Sequence, residues 1–200
     1  MDEWKAKELL RETLLNLESI PDHELEIILQ AFELELHPKK SLLCDMNQIA
    51  DKVYFVCQGM LRLYTIKEDG DELTIFLAPE ALFASSFESL VMQQKSKQIL
   101  ETLEDSILLS LRYDKLQELY RLAPSFNTVT RKIAELRFIN AQRLFSSHIM
   151  DSPEQRYIRL MKEQPVLIQR VPLHILASFL GITPVSISRI RKRLQEGKAG

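Results

Sequence analysis

The spacing of apolar residues along this chain of 200 residues changes several times, and each change marks a different kind of element. Residues 1 to 31 follow a helical period: Trp4, Leu9, Leu10, Leu14 and Leu17 form one stripe, Ile20-Pro21 breaks it, and Leu25, Ile28 and Leu29 form a shorter second one. From Phe32 the period drops to two. Phe32, Leu34 and Leu36 alternate with Glu33, Glu35 and His37, which predicts a half-buried strand. Several short strands follow between Leu42 and Leu77. Val53-Tyr54-Phe55-Val56-Cys57 is dense in strand formers and ends at Gln58-Gly59, after which Leu61, Leu63 and Thr65 alternate with Arg62, Tyr64 and Ile66. Lys67-Glu68-Asp69-Gly70 predicts a hairpin turn, since Asp-Gly supplies the required dihedrals, and Leu73, Ile75 and Leu77 then alternate again. Short strands at this spacing predict a compact antiparallel roll or barrel. Glu80 to Gln94 predicts a short helix with Leu82, Phe83, Phe87 and Leu90 on its apolar face. A polar loop over 93–97 and a strand from Ile99 to Leu111, broken at Glu104-Asp105, complete this part.

The remainder is helical in pattern. Pro124 to Ile149 predicts one long helix, the candidate subunit contact. On it Phe126, Val129, Ile133 and Leu136 step by three, four and three, and Asn140 and Arg143 continue the seam as polar members, which suits a parallel two-fold coil. The same residues also suit packing on the roll of their own chain, and a long helix has faces for both. Ser152-Pro153 is a cap followed by a first-turn proline, so a helix opens at Pro153 and runs to Glu163; Asp151 is then a hinge and a domain boundary. Val166-Leu167-Ile168 reads as a short strand.

The strongest functional signal is Leu173 to Leu194, LHILASFLGITPVSISRIRKRL. Leu173, Leu176, Ala177 and Leu180 recur at helical spacing, Gly181 breaks the helix, and Thr183-Pro184 caps and opens a second one. This is the order of a helix-turn-helix DNA reader. In the second helix Ile187, Ile190 and Leu194 form the inward stripe. Val185, Ser188, Arg189 and Lys192 form the opposite face, flanked by Ser186, Arg191 and Arg193. An arginine can donate twice to a guanine edge, a valine can touch a thymine methyl, and a lysine suits a phosphate. The predicted DNA-facing set is Thr183, Pro184, Val185, Ser186, Ser188, Arg189, Lys192 and Arg193.

Composition sharpens this reading through the placement of charge. The formal net charge is only −2, but residues 1–150 hold seventeen Lys/Arg against twenty-four Asp/Glu, whereas residues 151–200 hold nine against four. A basic C-terminal piece behind an acidic one suits a nucleic-acid reader carried by a control domain. Apolar residues make up 46% of the chain, enough for a sizeable core. Cys44 and Cys57 show neither CxxC spacing nor a companion histidine cluster and are expected to be reduced core thiols. His23, His37, His148 and His174 are scattered, and no metal site is expected. No HxH, paired catalytic carboxylates, Gly-rich phosphate loop or nucleophile turn is present, so no catalytic residues and no enzymatic activity are expected. With no leader pattern and no apolar run long enough to cross a bilayer, a cytoplasmic protein without a membrane partner is expected.

The order roll, long helix, hinge, helix-turn-helix resembles the Crp/Fnr family of bacterial transcription regulators over almost the whole chain. Its most specific passages are Ala50-Asp51-Lys52-Val53-Tyr54-Phe55-Val56-Cys57-Gln58-Gly59 and the motif from Leu173, with Gln169-Arg170-Val171-Pro172 before it and Ser188-Arg189-Ile190-Arg191-Lys192 within it. The resemblance implies an α+β fold. Its parts are a cyclic-nucleotide-binding-like antiparallel β-roll (a double-stranded β-helix) over 1–123, a dimerisation helix over 124–150, and a winged-helix-like helix-turn-helix domain over 151–200. It also implies a homodimer on a two-fold symmetric DNA operator, with RNA polymerase and a small-molecule effector as further partners. An effector pocket would fall at Ser85, Lys95, Ser96 and Asn140. Cyclic-nucleotide-binding members carry Gly-Glu at the short helix and Arg-Ser or Arg-Thr after it; here Ala84-Ser85 and Lys95-Ser96 stand instead. Neither supplies the ribose carboxylate or the planar phosphate fork, so no cyclic nucleotide is expected as cofactor. Two cysteines do not support the iron–sulfur cluster of the oxygen-sensing branch. Only six residues follow Leu194, so the family's C-terminal wing is expected to be short or absent, and backbone contacts to DNA would rest on the helix ends and Arg170. The reading from another class is a ligand-sensing or protein-interaction module on the roll, without sequence-specific DNA binding.

Overall fold

The computed structural model describes residues 1–196. In chain order the elements are α1 (Glu3–Leu17), α2 (Asp22–Ala31), β1 (Glu33–His37), β2 (Leu42–Cys44), β3 (Lys52–Gln58), β4 (Leu61–Ile66), β5 (Glu72–Ala78), β6 (Phe83–Ala84), α3 (Phe87–Met92), β7 (Ile99–Thr102), β8 (Ser106–Arg112), α4 (Tyr113–Leu122), α5 (Ser125–Met150), α6 (Pro153–Glu163), α7 (Pro165–Arg170), α8 (Leu173–Leu180) and α9 (Pro184–Glu196). The strands form two antiparallel four-stranded sheets, in the orders β1-β8-β3-β6 and β2-β7-β4-β5.

The unbroken apolar run in β3 follows from burial on both of its faces. Tyr54 and Val56 turn into the roll, where they meet Leu61, Leu63, Leu100 and Leu108; Phe55 and Cys57 turn out against α1, α2 and α4. Strands covered on one face only need alternate, whereas β3 is covered on both. Burial also pushes the Cys57 thiol up to about 12, so it stays protonated at neutral pH. The expected hairpin between β4 and β5 forms: Gly70 takes φ 87° and its N–H donates to the Lys67 carbonyl.

Four expectations need correction. The helix predicted over 80–94 shrinks to α3, because Phe83 and Ala84 pair with Phe55 and Tyr54 as a strand, and Gln93 ends the helix in a left-handed conformation. Leu36, read as an inward member of the first strand, is exposed, because the cover that takes up Leu34 on the same face does not reach it. Val166–Ile168 is helical, not extended: Pro165 opens α7 and Leu167 is buried in the core of the C-terminal helices, and the β-branched residues find no strand to pair with. Finally, Phe126, Val129 and Ile133 of the expected intersubunit seam pack inside their own chain, in the cluster with α1, α2 and α4. Buried Glu24 of α2 accepts from the Ser125 N–H at the start of α5, and Lys132 pairs with Glu18, so the N-terminal helices claim this face.

Further along, α5 is anchored to the roll by Arg137, which stacks on Phe76 and donates to the Phe83 carbonyl; burial lowers its pKa. Elsewhere on α5 several apolar residues stand in solvent: Leu136, Ile139 and Met150 on one side, and Phe138, Phe145 and Ile149 on another. No single described helix is long and apolar enough to cross a membrane.

Candidate nucleic-acid interface

The helix-turn-helix forms as its local signals require. Gly181 ends α8 at φ 64°, a conformation glycine adopts without a Cβ penalty, and Ile182 N–H donates to the Ala177 carbonyl. Thr183 Oγ1 accepts from the Ser186 N–H at 3.1 Å and caps α9. The two helices meet at 94°, within the range of DNA-reading hairpins.

Packing then fixes which way α9 faces. Ile187 and Ile190 are 0% and 2% exposed and join Leu176, Ala177, Tyr157 and Leu160 in one cluster, with Leu194 packed against it. The cations divide accordingly. Arg191 turns inward, donating to Tyr157 Oη at 2.9 Å, so it ties α9 to α6. Arg193 reaches Glu154 at 3.2 Å from an exposed position, where phosphate can compete for it. Lys192 lies 3.8 Å from Glu196, and its side chain is 77% exposed. Thr183, Pro184, Val185, Ser188 and Arg189 are exposed, and Ser186 is half-buried beside its cap. Arg189 makes no ion pair among the described residues. The outer surface of α9 therefore offers a guanidinium without an ion pair among the described residues, an ammonium only loosely paired with Glu196, hydroxyls and a branched apolar group on one side.

Arg170, expected on the DNA backbone, is elsewhere. Its guanidinium makes paired contacts with Glu80 (2.7 and 2.8 Å) and with Glu104 (3.1 and 2.6 Å), and it donates to the Gly59 carbonyl at 3.0 Å. These bonds raise the arginine's pKa. For Glu80, burial acts upward, but the arginine and the Gly59 N–H outweigh it and hold the carboxyl below its ordinary range. The physical reason for the correction is charge compensation: two carboxylates of the roll satisfy this cation inside the chain.

Around the expected effector pocket the two serine hydroxyls are already bonded within the chain. Ser85 Oγ donates to the Lys52 carbonyl, and Ser96 Oγ bonds to Ser86 Oγ and the Gln98 carbonyl. Both serines are buried, whereas Lys95 and Asn140 lie in solvent. These hydroxyls hold the loop around α3 in place. On α5, Leu136 and Arg143 of the expected seam are exposed. With Ile139, Ser146 and Met150 they make a stripe that steps by three, four, three and four. Much of this stripe borders an open hollow next to Arg159 of α6.

Sequence reasoning missed Arg156, which donates to the Leu180 carbonyl at the end of α8 and to the Asp151 carbonyl at the hinge. It also missed Arg137 and Ser178. Only helical spacing was available for these, and that does not distinguish them from solvated residues. The expectation of a short or absent wing concerns residues beyond 196 and lies outside the described residues.

Residues 34–122 match the family described as the cyclic nucleotide-binding domain. Among solved structures, the chain is similar to CLP of Xanthomonas campestris, described as a c-di-GMP responsive global regulator. The TM-score is 0.69 and the identity 20%, over 89% of this chain and 93% of that one. It is similar to FixK2 from Bradyrhizobium japonicum, at TM-score 0.68 and 15% identity over 84% and 86%. It is also similar to a protein of the crp/fnr family from Eubacterium rectale, at TM-score 0.67 and 16% identity over 89% and 85%. No curated protein matches the sequence.

Proposed function

We propose that this chain, whose fold is that of the Crp/Fnr regulators, is a DNA-binding transcription regulator that acts as a homodimer and reads an inverted-repeat operator with α9. The observation that carries the reading is the division of α9 into a buried Ile187–Ile190 side and an exposed side bearing Val185, Ser188, Arg189 and Lys192. A recognition helix contacts bases through such an exposed face near its N-terminus while its other face packs on the preceding helix.

The dimer rests on α5. The stripe Leu136, Ile139, Arg143, Ser146 and Met150 has coiled-coil spacing and lies exposed along the helix. A second copy of the same helix covers this face most economically, since two-fold contacts are self-complementary. Cyclic AMP is not its effector in this reading: the hydroxyls at the positions expected to hold one are committed to the α3 loop, and Lys95 stands outside it.

Selection of bound sequences from a random duplex pool tests the proposal directly. A palindromic consensus with half-sites one helical turn apart is expected. Recovery of random sequence at low salt, or of a single unrepeated site from a monomeric protein, overturns it.

A further inference from the structure

The chain passes from α5 to the helix-turn-helix unit at Asp151–Ser152, its covalent attachment. In this chain a second attachment lies at the other end of the same unit. Arg170 closes α7 immediately before Val171-Pro172 leads into α8, and its guanidinium is held by both oxygens of Glu80, both oxygens of Glu104 and the carbonyl of Gly59. Glu80 Oε1 in turn accepts the Gly59 N–H at 2.9 Å. The seat cannot shift easily: Gly59 has φ 100°, and an added Cβ would lie 2.3 Å from Ser106 Oγ.

Two further contacts share this orientation. Ser178 of α8 accepts from the Thr74 N–H and donates to the Glu72 carbonyl, closing the outer edge of β5. Met60, Leu77 and Leu103 of the roll are buried in the same cluster as Ile175 and Phe179 of the reader. The hydroxyl and apolar contacts tolerate sliding. Paired arginine–carboxylate bonds are directional and tolerate little.

Resting on the reading of α9 as the DNA interface, we propose that Arg170 determines operator spacing without touching DNA. By clamping α7 to Glu80 and Glu104, it fixes the direction in which each α9 leaves its roll, and so sets the separation of half-sites that the dimer accepts. One inserted base pair displaces a half-site by about 3.4 Å and rotates it by roughly 35° about the duplex. A unit fixed by Asp151 and the Arg170 clamp together cannot follow that change, whereas one held by Asp151 and contacts that tolerate sliding can.

The test uses the full chain on duplexes carrying the selected inverted repeat at its selected spacing, at spacings one and two base pairs longer and shorter, and on a single half-site. Wild type is expected to lose about tenfold or more in affinity per base pair of misspacing, equivalent to about 1.4 kcal/mol. Arg170→Gln is expected to compress the whole series to within about threefold, with half-site affinity within about twofold of wild type. Arg170→Lys, which keeps the charge but loses the fork, falls between them. Glu104→Gln gives the same flattening from the opposite partner and serves if Arg170→Gln folds poorly. An unchanged spacing profile in the folded variants overturns the proposal. So does an equal loss on every duplex including the half-site, which would make Arg170 a phosphate contact. If wild type prefers no sequence at all, it is the DNA reading that fails, and the spacing proposal falls with it.

Discussion

Arg170 and Arg189 belong to the same basic C-terminal quarter, and a charge count treats them alike. Arg170 has its guanidinium filled by two carboxylates and a carbonyl, whereas Arg189 stands exposed with no ion pair among the described residues. Freeing Arg170 for a phosphate would break several charge-assisted bonds and leave Glu80 and Glu104 facing each other uncompensated. Arg189 brings its donors to a ligand unspent. A nucleic-acid surface is therefore marked by cations that are available, and availability is decided by residues distant in sequence.

The comparison can be broken most severely at Ile187, whose burial holds the rotation of α9 and so keeps Arg189 outward. Ile187→Ala leaves a cavity at a site that is 0% exposed and is expected to cost about 2–5 kcal/mol. Thermal denaturation should report a fall of several degrees in Tm, with specific DNA binding lost in parallel. An unchanged Tm would remove the basis for the outward assignment.

On the Arg170 side, the vulnerable point is Gly59. A methyl group there must adopt φ 100° and displace Ser106, whose Oγ and Cα would lie 2.3 and 2.9 Å from it. The left-handed backbone alone costs about 1–2 kcal/mol, and the clash brings the total to roughly 2–4 kcal/mol. Gly70, at φ 87° with nothing within 4 Å, supplies the control: Gly70→Ala carries only the backbone cost. Equal denaturation midpoints for the two variants would contradict the close approach at the clamp.

A smaller effect separates base reading from phosphate binding on α9. Arg189→Ala is expected to lose about 1–3 kcal/mol on the selected operator and to relax preference at one base pair. Lys192→Ala should weaken all duplexes alike and reduce the salt slope by about one. If Arg189→Ala lowers affinity for specific and random duplexes equally, both cations are phosphate contacts.

The reader was legible in the sequence because its signals are local. Gly181, Thr183-Pro184 and the spacing of Ile187 and Ile190 lie within a few residues of the conformations they impose, and the β4–β5 turn was legible for the same reason. What failed depends on distant partners. Glu80 and Glu104 lie 90 and 66 positions from Arg170, and no spacing rule connects them. On α5, a long helix offers several apolar stripes, and α1 and α2, at the other end of this sequence, claim Phe126, Val129 and Ile133. The tripeptide Val166–Ile168 has strand-forming residues, but Pro165 and the burial of Leu167 decide its conformation.

The gentlest test of the comparison is pH. Glu80 has a pKa below its ordinary 4.5: burial works against ionisation, but the bonds from Arg170 and Gly59 prevail. A carboxylate depressed in the folded state contributes its full stability above the unfolded value and loses it as pH falls through the folded one. The clamp is therefore fully formed at neutral pH and weakens below about 4.5. Because the pair is partly exposed, its charge contributes at most about 1 kcal/mol, or a Tm difference of roughly 2–4 °C. Wild type should exceed Glu80→Gln by that amount at pH 7, and the two should converge as the pH falls from 4.5 through the lower value of the folded state. A gap that stays constant would mean that Glu80 acts through shape, not charge. Arg189 has no carboxylate partner among the described residues, so Arg189→Ala should leave the pH dependence of Tm unchanged, and any steepening or flattening would reveal an acidic partner for it.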